Sequence, residues 1–292
     1  MTRLRGPWTA TAAVTLFLLS ACANGSDPGG MIPSYGSASG SAVPTSPDQL
    51  VLRVRRSGGL VGNRGQFGAI APVSIYGDGR VVTPAPVPAI YPGPAMTNLQ
   101  VQLVSPATLT QLLATGDALL AKGGDVGRSP VQDGTTTTIT IKGKSISVYA
   151  LSEAQPSDPS LSPAQQRRRA ELAAFAEQIS DLPSALGMAT AQPYEPVALA
   201  ILASPWVKPA DGLPSQPAAT PWAGPALPGA YLNKGVKQGC FIASGETLRK
   251  MLPVAQKAMQ NAAWTSGGAT WTVKFRPLLP EETGCADLQE PR

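Results

Sequence analysis

Two Ser-Pro pairs constrain the fold of this chain most, because each marks a helix directly after strand-like sequence. Ser105-Pro106 follows the alternating apolar stretch 99–103, and Ser162-Pro163 follows a strand hairpin predicted over 135–151. Serine is favoured at the N-cap of a helix and proline in its first turn. The same order of strand, serine and helix recurs at Ser244. The sequence therefore predicts three units in which strands lead into a serine-capped helix.

Further strands complete the predicted fold. Val73–Tyr76 and Arg80–Val82 flank Gly77-Asp78-Gly79, and Asp-Gly supplies the positive φ values of a tight hairpin turn. Residues 196–202 form a wholly apolar run typical of a buried strand, and we expect a last helix at 244–263. We predict an α+β fold, with mainly antiparallel sheet or sheets, about three helices packed on one face, and long proline-rich loops.

The N-terminus indicates an exported protein. Two arginines precede an apolar run at 8–19 that is too short to span a bilayer, as in a secretory signal. Leu19-Ser20-Ala21-Cys22 then resembles the lipobox of bacterial lipoproteins, in which the cysteine is acylated and becomes the mature N-terminus. This resemblance implies that residues 1–21 are removed and that acyl chains, palmitate among them, hold Cys22 in the cell membrane on its extracytoplasmic side. An ordinary signal peptide beside a cysteine is the alternative.

The mature chain divides into a tether and a folded part. Residues 22–49 are rich in Gly, Ser and Pro and lack hydrophobic periodicity, which predicts a flexible tether. We expect residues 50–288 to be globular, as one domain or as two halves that meet near residue 190. Seven prolines between 205 and 228 predict an irregular segment.

The amino-acid composition excludes several chemistries. The chain contains no histidine, which removes Ser-His-Asp and Cys-His catalysis and histidine-bound zinc. Ser-Lys pairs, carboxylate pairs and oxygen-bound calcium remain open. The formal charge falls from +5 to +3 without the signal, because that segment holds two arginines and no acids, so nothing favours nucleic acid as a partner. We assign no catalytic residue, cofactor or metal site.

Two cysteines remain after Cys22. Cys240 and Cys285 form an even pair in an oxidising compartment, which favours a disulfide closing a loop of about 45 residues. Two free thiols are the alternative.

Several short sequences together resemble secreted proteins and lipoproteins of actinobacteria that have no assigned function. They are Ser74–Val81, Ile90–Pro94, Tyr149–Leu151 and Arg276–Pro280. The resemblance spans most of residues 50–286. It implies an envelope location and supports the Cys240–Cys285 pairing, but it supplies no catalytic residues.

Three segments are candidate sites. The loop holding Asp125 and Asp133 lacks EF-hand spacing and a closing Glu, which favours a plain loop, and a calcium or small-ligand site is the alternative. Trp206, Trp222 and Tyr231 lie in or beside the proline-rich segment, which we expect to wrap the domain and bury its tryptophans; a partner surface or a carbohydrate platform is the alternative. The run 167–169, three arginines, predicts a solvated face, or else contact with anionic lipid or acidic wall polymer.

These features favour a lipid-anchored envelope protein that binds another envelope component, either a protein or a wall polymer, without catalysis. A hydrolase acting on wall polymer or peptide without histidine is one alternative. An inhibitor of exported proteases, with a disulfide-held loop as its binding segment, is the other.

Overall fold

The computed structural model describes residues 46–59, 67–155, 157–208 and 218–289. The predicted signal sequence, the predicted lipidation site Cys22 and most of the predicted tether lie outside these residues, so the lipid anchor stays a prediction. All described residues belong to one compact unit, Pro44–Arg292. Among the described helices, none has the length and apolar character needed to cross a bilayer.

The first sheet has seven strands in the order β6-β5-β1-β2-β3-β4-β7, and each neighbouring pair is antiparallel. The strands are β1 (Leu50–Gly58), β2 (Val73–Tyr76), β3 (Arg80–Pro84), β4 (Leu99–Leu103), β5 (Thr135–Ile141), β6 (Lys144–Tyr149) and β7 (Gln192–Pro193). The predicted hairpin of β2 and β3 is confirmed. Its turn needs Gly79, which has a φ of +88°, a value that strains other residues.

Two helices cover one face of this sheet. They are α1 (Pro106–Ala121) and α2 (Pro163–Leu186). Both predicted caps are confirmed: Ser105 Oγ accepts from Thr108 N at 3.1 Å, and Ser162 forms a capping box with Gln165. The apolar stripes of the helices close a core with the inward residues of β1 and β5. That core includes Leu52, Leu112, Ile139, Leu172, Phe175 and Ile179.

The second sheet has six strands in the order β10-β11-β8-β13-β12-β9, all antiparallel except the β12–β9 pair. They are β8 (Ala198–Pro205), β9 (Thr220–Pro221), β10 (Ala230–Asn233), β11 (Gln238–Ser244), β12 (Trp264–Ser266) and β13 (Ala269–Pro277). Short 3-10 turns occupy Met188–Thr190 and Cys285–Leu288. With α3 (Gly245–Lys257) against this sheet, the α+β prediction is confirmed, and the helices are shared between two sheets.

The third helix departs from its prediction at both ends. Ser244 occupies the N-cap position, but its side chain makes no capping hydrogen bond. The helix ends at Lys257 rather than at residue 263, because the following backbone pairs with the proline-rich loop after β3. Ala258 O accepts from Ala95 N, and Gln260 N donates to Gly93 O, each at 2.8 Å. These long-range bonds replace the helical ones.

The segment after β13 joins the two sheets. Leu279 packs against Tyr76 and Leu99 of the first sheet. Glu281 pairs with Arg53 and accepts a hydrogen bond from the Tyr76 hydroxyl at 2.7 Å. Burial, reinforced by the neighbouring Glu281 carboxylate, raises the pKa of Tyr76 far above its ordinary range. The hydroxyl therefore stays protonated and keeps donating this bond.

The predicted disulfide is confirmed. The Cys240 and Cys285 sulfurs are bonded at 1.95 Å, and their Cα atoms are 6.1 Å apart. Cys240 lies on β11, and Cys285 begins the last 3-10 turn, so the bond ties the end of the described chain to the second sheet.

A glycine in α1 lies where that helix approaches the sheet closely, and we expect alanine there to destabilise the fold. A Cβ at Gly116 would lie 2.3 Å from Ile141 Cδ1 and 3.1 Å from Phe175 Cζ. Overpacking costs about 1–3 kcal/mol, whereas the gain in helix propensity is about 1 kcal/mol. Gly116→Ala should therefore lower the free energy of unfolding by about 1 kcal/mol, measured by urea denaturation. The control Gly284→Ala adds a Cβ with no atom within 4 Å and should change it little.

Candidate functional site

A groove of about 530 Å³ runs beside α2 and is the candidate binding site. We call it the α2 groove, lined by Arg56, Thr137, Leu151, Ala173, Glu177 and Asp181. A cavity of about 290 Å³ shares Leu151, Ala154, Ala173 and Glu177 with it, so the two cavities adjoin. Pockets for small ligands typically enclose about 300–1,000 Å³. The α2 groove therefore has the size of a ligand site.

One wall of the α2 groove is a stripe of helix α2 beside its core-facing side. Residues three and four apart on a helix lie on one side, which groups Ala173 and Ala176 with Glu177, and then with Asp181 one turn later. The alanine side chains leave space against the loop after β6, whereas the two acids are exposed. This wall is apolar at its floor and negative at its rim.

The opposite wall comes from the end of β1. Leu52, Val54 and Arg56 alternate onto one face of the sheet, and the first two are fully buried under the helices. Arg56 continues that face beyond the core, opposite Thr137 in the β1–β5 register, and both residues line the groove. The sheet therefore contributes a guanidinium to the same groove that α2 lines with two carboxylates.

The charges of the groove are not neutralised internally. Arg56, Glu177 and Asp181 make no hydrogen bond or ion pair with any described residue. Glu171, nearly three turns before Asp181, instead pairs with Lys122 at 2.9 Å and with Arg168 at 3.3 Å. The groove thus offers one cationic and two anionic groups to a ligand.

Two buried arginines on α2 bind backbone carbonyls of neighbouring elements. Arg169 donates to Tyr149 O at 2.8 Å and to Ala150 O at 2.6 Å, and Arg168 donates to Leu119 O at 2.6 Å. Burial lowers the pKa of Arg169, although nearby carboxylates oppose this effect. The predicted solvated face is wrong for these two residues, because backbone carbonyls from other elements accept their hydrogen bonds. Arg167 alone is exposed.

A carboxylate beside the groove fixes the loop after β6. Glu153 accepts bonds from the backbone N–H and the hydroxyl of Thr135, at 3.0 and 2.6 Å, and from the Ser152 hydroxyl at 3.0 Å. Burial alone would raise the pKa of Glu153, but these hydrogen bonds outweigh it and lower the pKa to about 2. The loop is therefore tied to the start of β5 by an ionised side chain.

We expect this contact to stabilise the fold at neutral pH and to fail in acid. A carboxyl group whose pKa is lower in the folded chain stabilises it above the unfolded pKa, here 4.5, and loses that contribution as the pH falls towards 2. Urea denaturation at several pH values should show the wild type losing more stability than Glu153→Gln over that interval. Equal losses in the two proteins would contradict the assignment.

The structure gives the two acidic residues predicted in the 125–134 loop, Asp125 and Asp133, different surroundings. Asp125 accepts from Gly127 N at 2.8 Å and from Gln165 Nε2 at 2.7 Å, which fastens the loop to the first turn of α2. The Gly127 hydrogen bond, followed by that of Gln165, lowers the pKa of Asp125. Asp133 lies in the turn before β5 with a φ of +52°. Within the described ranges, no three His, Cys, Asp or Glu residues are grouped to hold a metal ion.

The predicted aromatic surface lies on the second sheet. Trp222 is half-buried, with its ring 5.4 Å from that of Trp264 and 6.5 Å from that of Phe241 between centroids, and its Nε1 donates to Pro225 O at 2.7 Å. Trp206 is half-buried where β8 runs beside β13, whereas Tyr231 on β10 is 47% exposed. The structure therefore uses Trp222 to pack the proline-rich segment onto the sheet.

None of the groove residues was predicted to belong to a site. Glu177 and Asp181 have a visible signal, two like charges four positions apart on a helix with small residues beside them. Arg56 has none, because its place in the groove depends on the pairing of β1 with β5. Comparison with protein families, curated proteins and solved structures finds no match to this chain. The site is therefore interpreted from its own geometry.

Proposed function

We propose that this protein is a lipid-anchored binding module of the cell envelope and that the α2 groove holds its ligand. The anchor is inferred from Leu19–Cys22 and the absence of histidine disfavours the common hydrolytic centres. The observation that carries the proposal is the groove itself, which Arg56 of β1 lines together with Glu177 and Asp181 of α2 and with apolar residues. Such a mixture of apolar lining and a few convergent polar groups is typical of ligand sites.

The acidic pair also raises the hydrolase alternative, and its placement argues against it. Glycosidases use two carboxyl groups that flank the scissile bond from opposite sides. Glu177 and Asp181 are four residues apart on one helix, so both lie on the same wall of the groove. Arg56 comes from β1 and is a guanidinium, so that element supplies no second carboxyl group to the groove. The geometry favours binding over acid–base chemistry.

Blocking the groove tests this function. The full-length protein, purified in detergent, is used to capture components from solubilised envelope of the source cell. Ala173→Leu fills the groove, and Ala185→Leu adds the same volume to an exposed position of α2 outside it. We expect the wild type and Ala185→Leu to retain one envelope component that Ala173→Leu fails to retain. Equal retention by all three proteins would refute the proposal.

The anchor has its own test. Cys22→Ser removes the thiol that would carry the acyl chains, and we expect this variant to leave the membrane fraction. A Cys22→Ser protein that stays with the membrane would refute lipid anchoring at this residue.

A further inference from the structure

We infer that the ligand of the α2 groove is a short peptide with small apolar side chains, a free ammonium group and a free carboxylate. The inference rests on the proposed function and names the class of ligand. In this arrangement the peptide carboxylate meets Arg56, and its ammonium group meets Glu177 and Asp181. Guanidinium is the best partner of a carboxylate because its N–H groups bind both oxygens at once.

The charges of the groove disfavour other ligand classes. A phosphate or anionic polymer would meet Arg56 but would be repelled by two carboxylates on the facing wall. A metal ion would find only those two carboxylates, with a cation opposite them. Neutral sugars commonly stack on aromatic rings, and the described lining residues of the groove include no aromatic side chain. A molecule with both charges satisfies both walls together.

The size and floor of the groove fit a di- or tripeptide. An extended peptide spans at most about 3.3–3.6 Å per residue, so two or three residues reach roughly 7–11 Å. That length suits a groove of about 530 Å³. Leu151, Ala173 and Ala176 supply methyl groups between the charged walls, which suits methyl-sized side chains on the ligand. The fixed loop after β6 keeps this floor in place before binding.

Calorimetric titration of the full-length protein with trialanine tests the inference. Three probes distinguish the two charges of the ligand. They are trialanine with free ends, its N-acetylated form, which lacks the ammonium group, and its C-terminal amide, which lacks the carboxylate. We expect each capped form to bind about five-fold more weakly than trialanine, the effect of losing an exposed ion pair. Arg56→Gln should weaken trialanine by the same factor and leave the amide unchanged. Glu177→Gln combined with Asp181→Asn should weaken trialanine and leave the acetylated form unchanged.

Two variants outside the groove serve as controls for the titration. Arg167→Gln and Glu195→Gln remove exposed charges outside the groove and should leave trialanine binding unchanged. The inference is wrong if trialanine fails to bind, if the capped forms bind equally well, or if the groove variants match the controls. In that event the binding function still stands when Ala173→Leu abolishes envelope capture. If Ala173→Leu leaves capture unchanged, the function and the ligand class both fail.

Discussion

Replacing Glu282 by glutamine should lower the free energy of unfolding by about 3–5 kcal/mol, because it leaves a buried arginine without its counter-charge. Arg276 is 2% exposed and binds both carboxylate oxygens of Glu282, one of them at 2.8 Å. It also donates to Pro277 O at 2.7 Å, while Glu282 accepts from Leu279 N at 2.7 Å. Glutamine keeps the shape, removes the charge and replaces one accepting oxygen by an NH2 donor, so the cost includes the loss of one hydrogen bond to Arg276. Urea denaturation measures it.

A surface pair supplies the matched control. Glu246 and Lys250 are four residues apart on α3, with side chains 68% and 72% exposed. Exposed helical pairs contribute about 0.3–0.5 kcal/mol, so Glu246→Gln should barely change stability. Because isosteric apolar groups can replace a buried pair, Arg276→Met with Glu282→Leu should cost less than Glu282→Gln alone. Equal effects of Glu282→Gln and Glu246→Gln would contradict this account.

Loss of the disulfide should destabilise the folded unit by about 4 kcal/mol on the chain-entropy model, given a loop of about 45 residues. The closed loop contains α3, β12 and β13. Without the bond, these residues gain conformational freedom in the unfolded chain, which lowers the free energy of unfolding. Cys240→Ala with Cys285→Ala removes the bond without adding a polar group at Cys240, which is buried. Urea denaturation with and without dithiothreitol measures the difference.

The reductant provides an internal check on that prediction. Wild type in dithiothreitol should match the double variant, and the double variant should not respond to the reductant. A difference below about 1 kcal/mol between oxidised and reduced wild type would contradict the chain-entropy explanation.

The sequence predicted correctly those helix ends that depend on hydrogen bonds between neighbouring residues. Ser105-Pro106 and Ser162-Pro163 both cap helices, since the capping bonds span only a few residues. The end of α3 was not predictable, because Gly93 and Ala95 capture the backbone that would continue the helix. The burial of Arg168 and Arg169 likewise depends on carbonyls supplied by distant elements.

In the candidate site, too, some residues are visible in the sequence and others depend on distant elements. The two acids of α2 can be seen in the sequence at helical spacing, but neither indicates a groove without its other wall. Arg56 reaches that wall because β1 pairs with β5, a register that the two strands set together. The order of the seven strands, which decides this pairing, has no local signature.

The position of β1 has a mechanical consequence. The chain arrives from the predicted anchor at Leu50, runs along β1 and reaches the groove at Arg56. Hydrogen bonds to β2 and β5 flank this strand, and in antiparallel ladders they lie perpendicular to it. Tension between the membrane and a held ligand would therefore load both ladders in shear, so that many bonds share the force. If the predicted anchor precedes it, β1 can bear a pull without being peeled from its sheet.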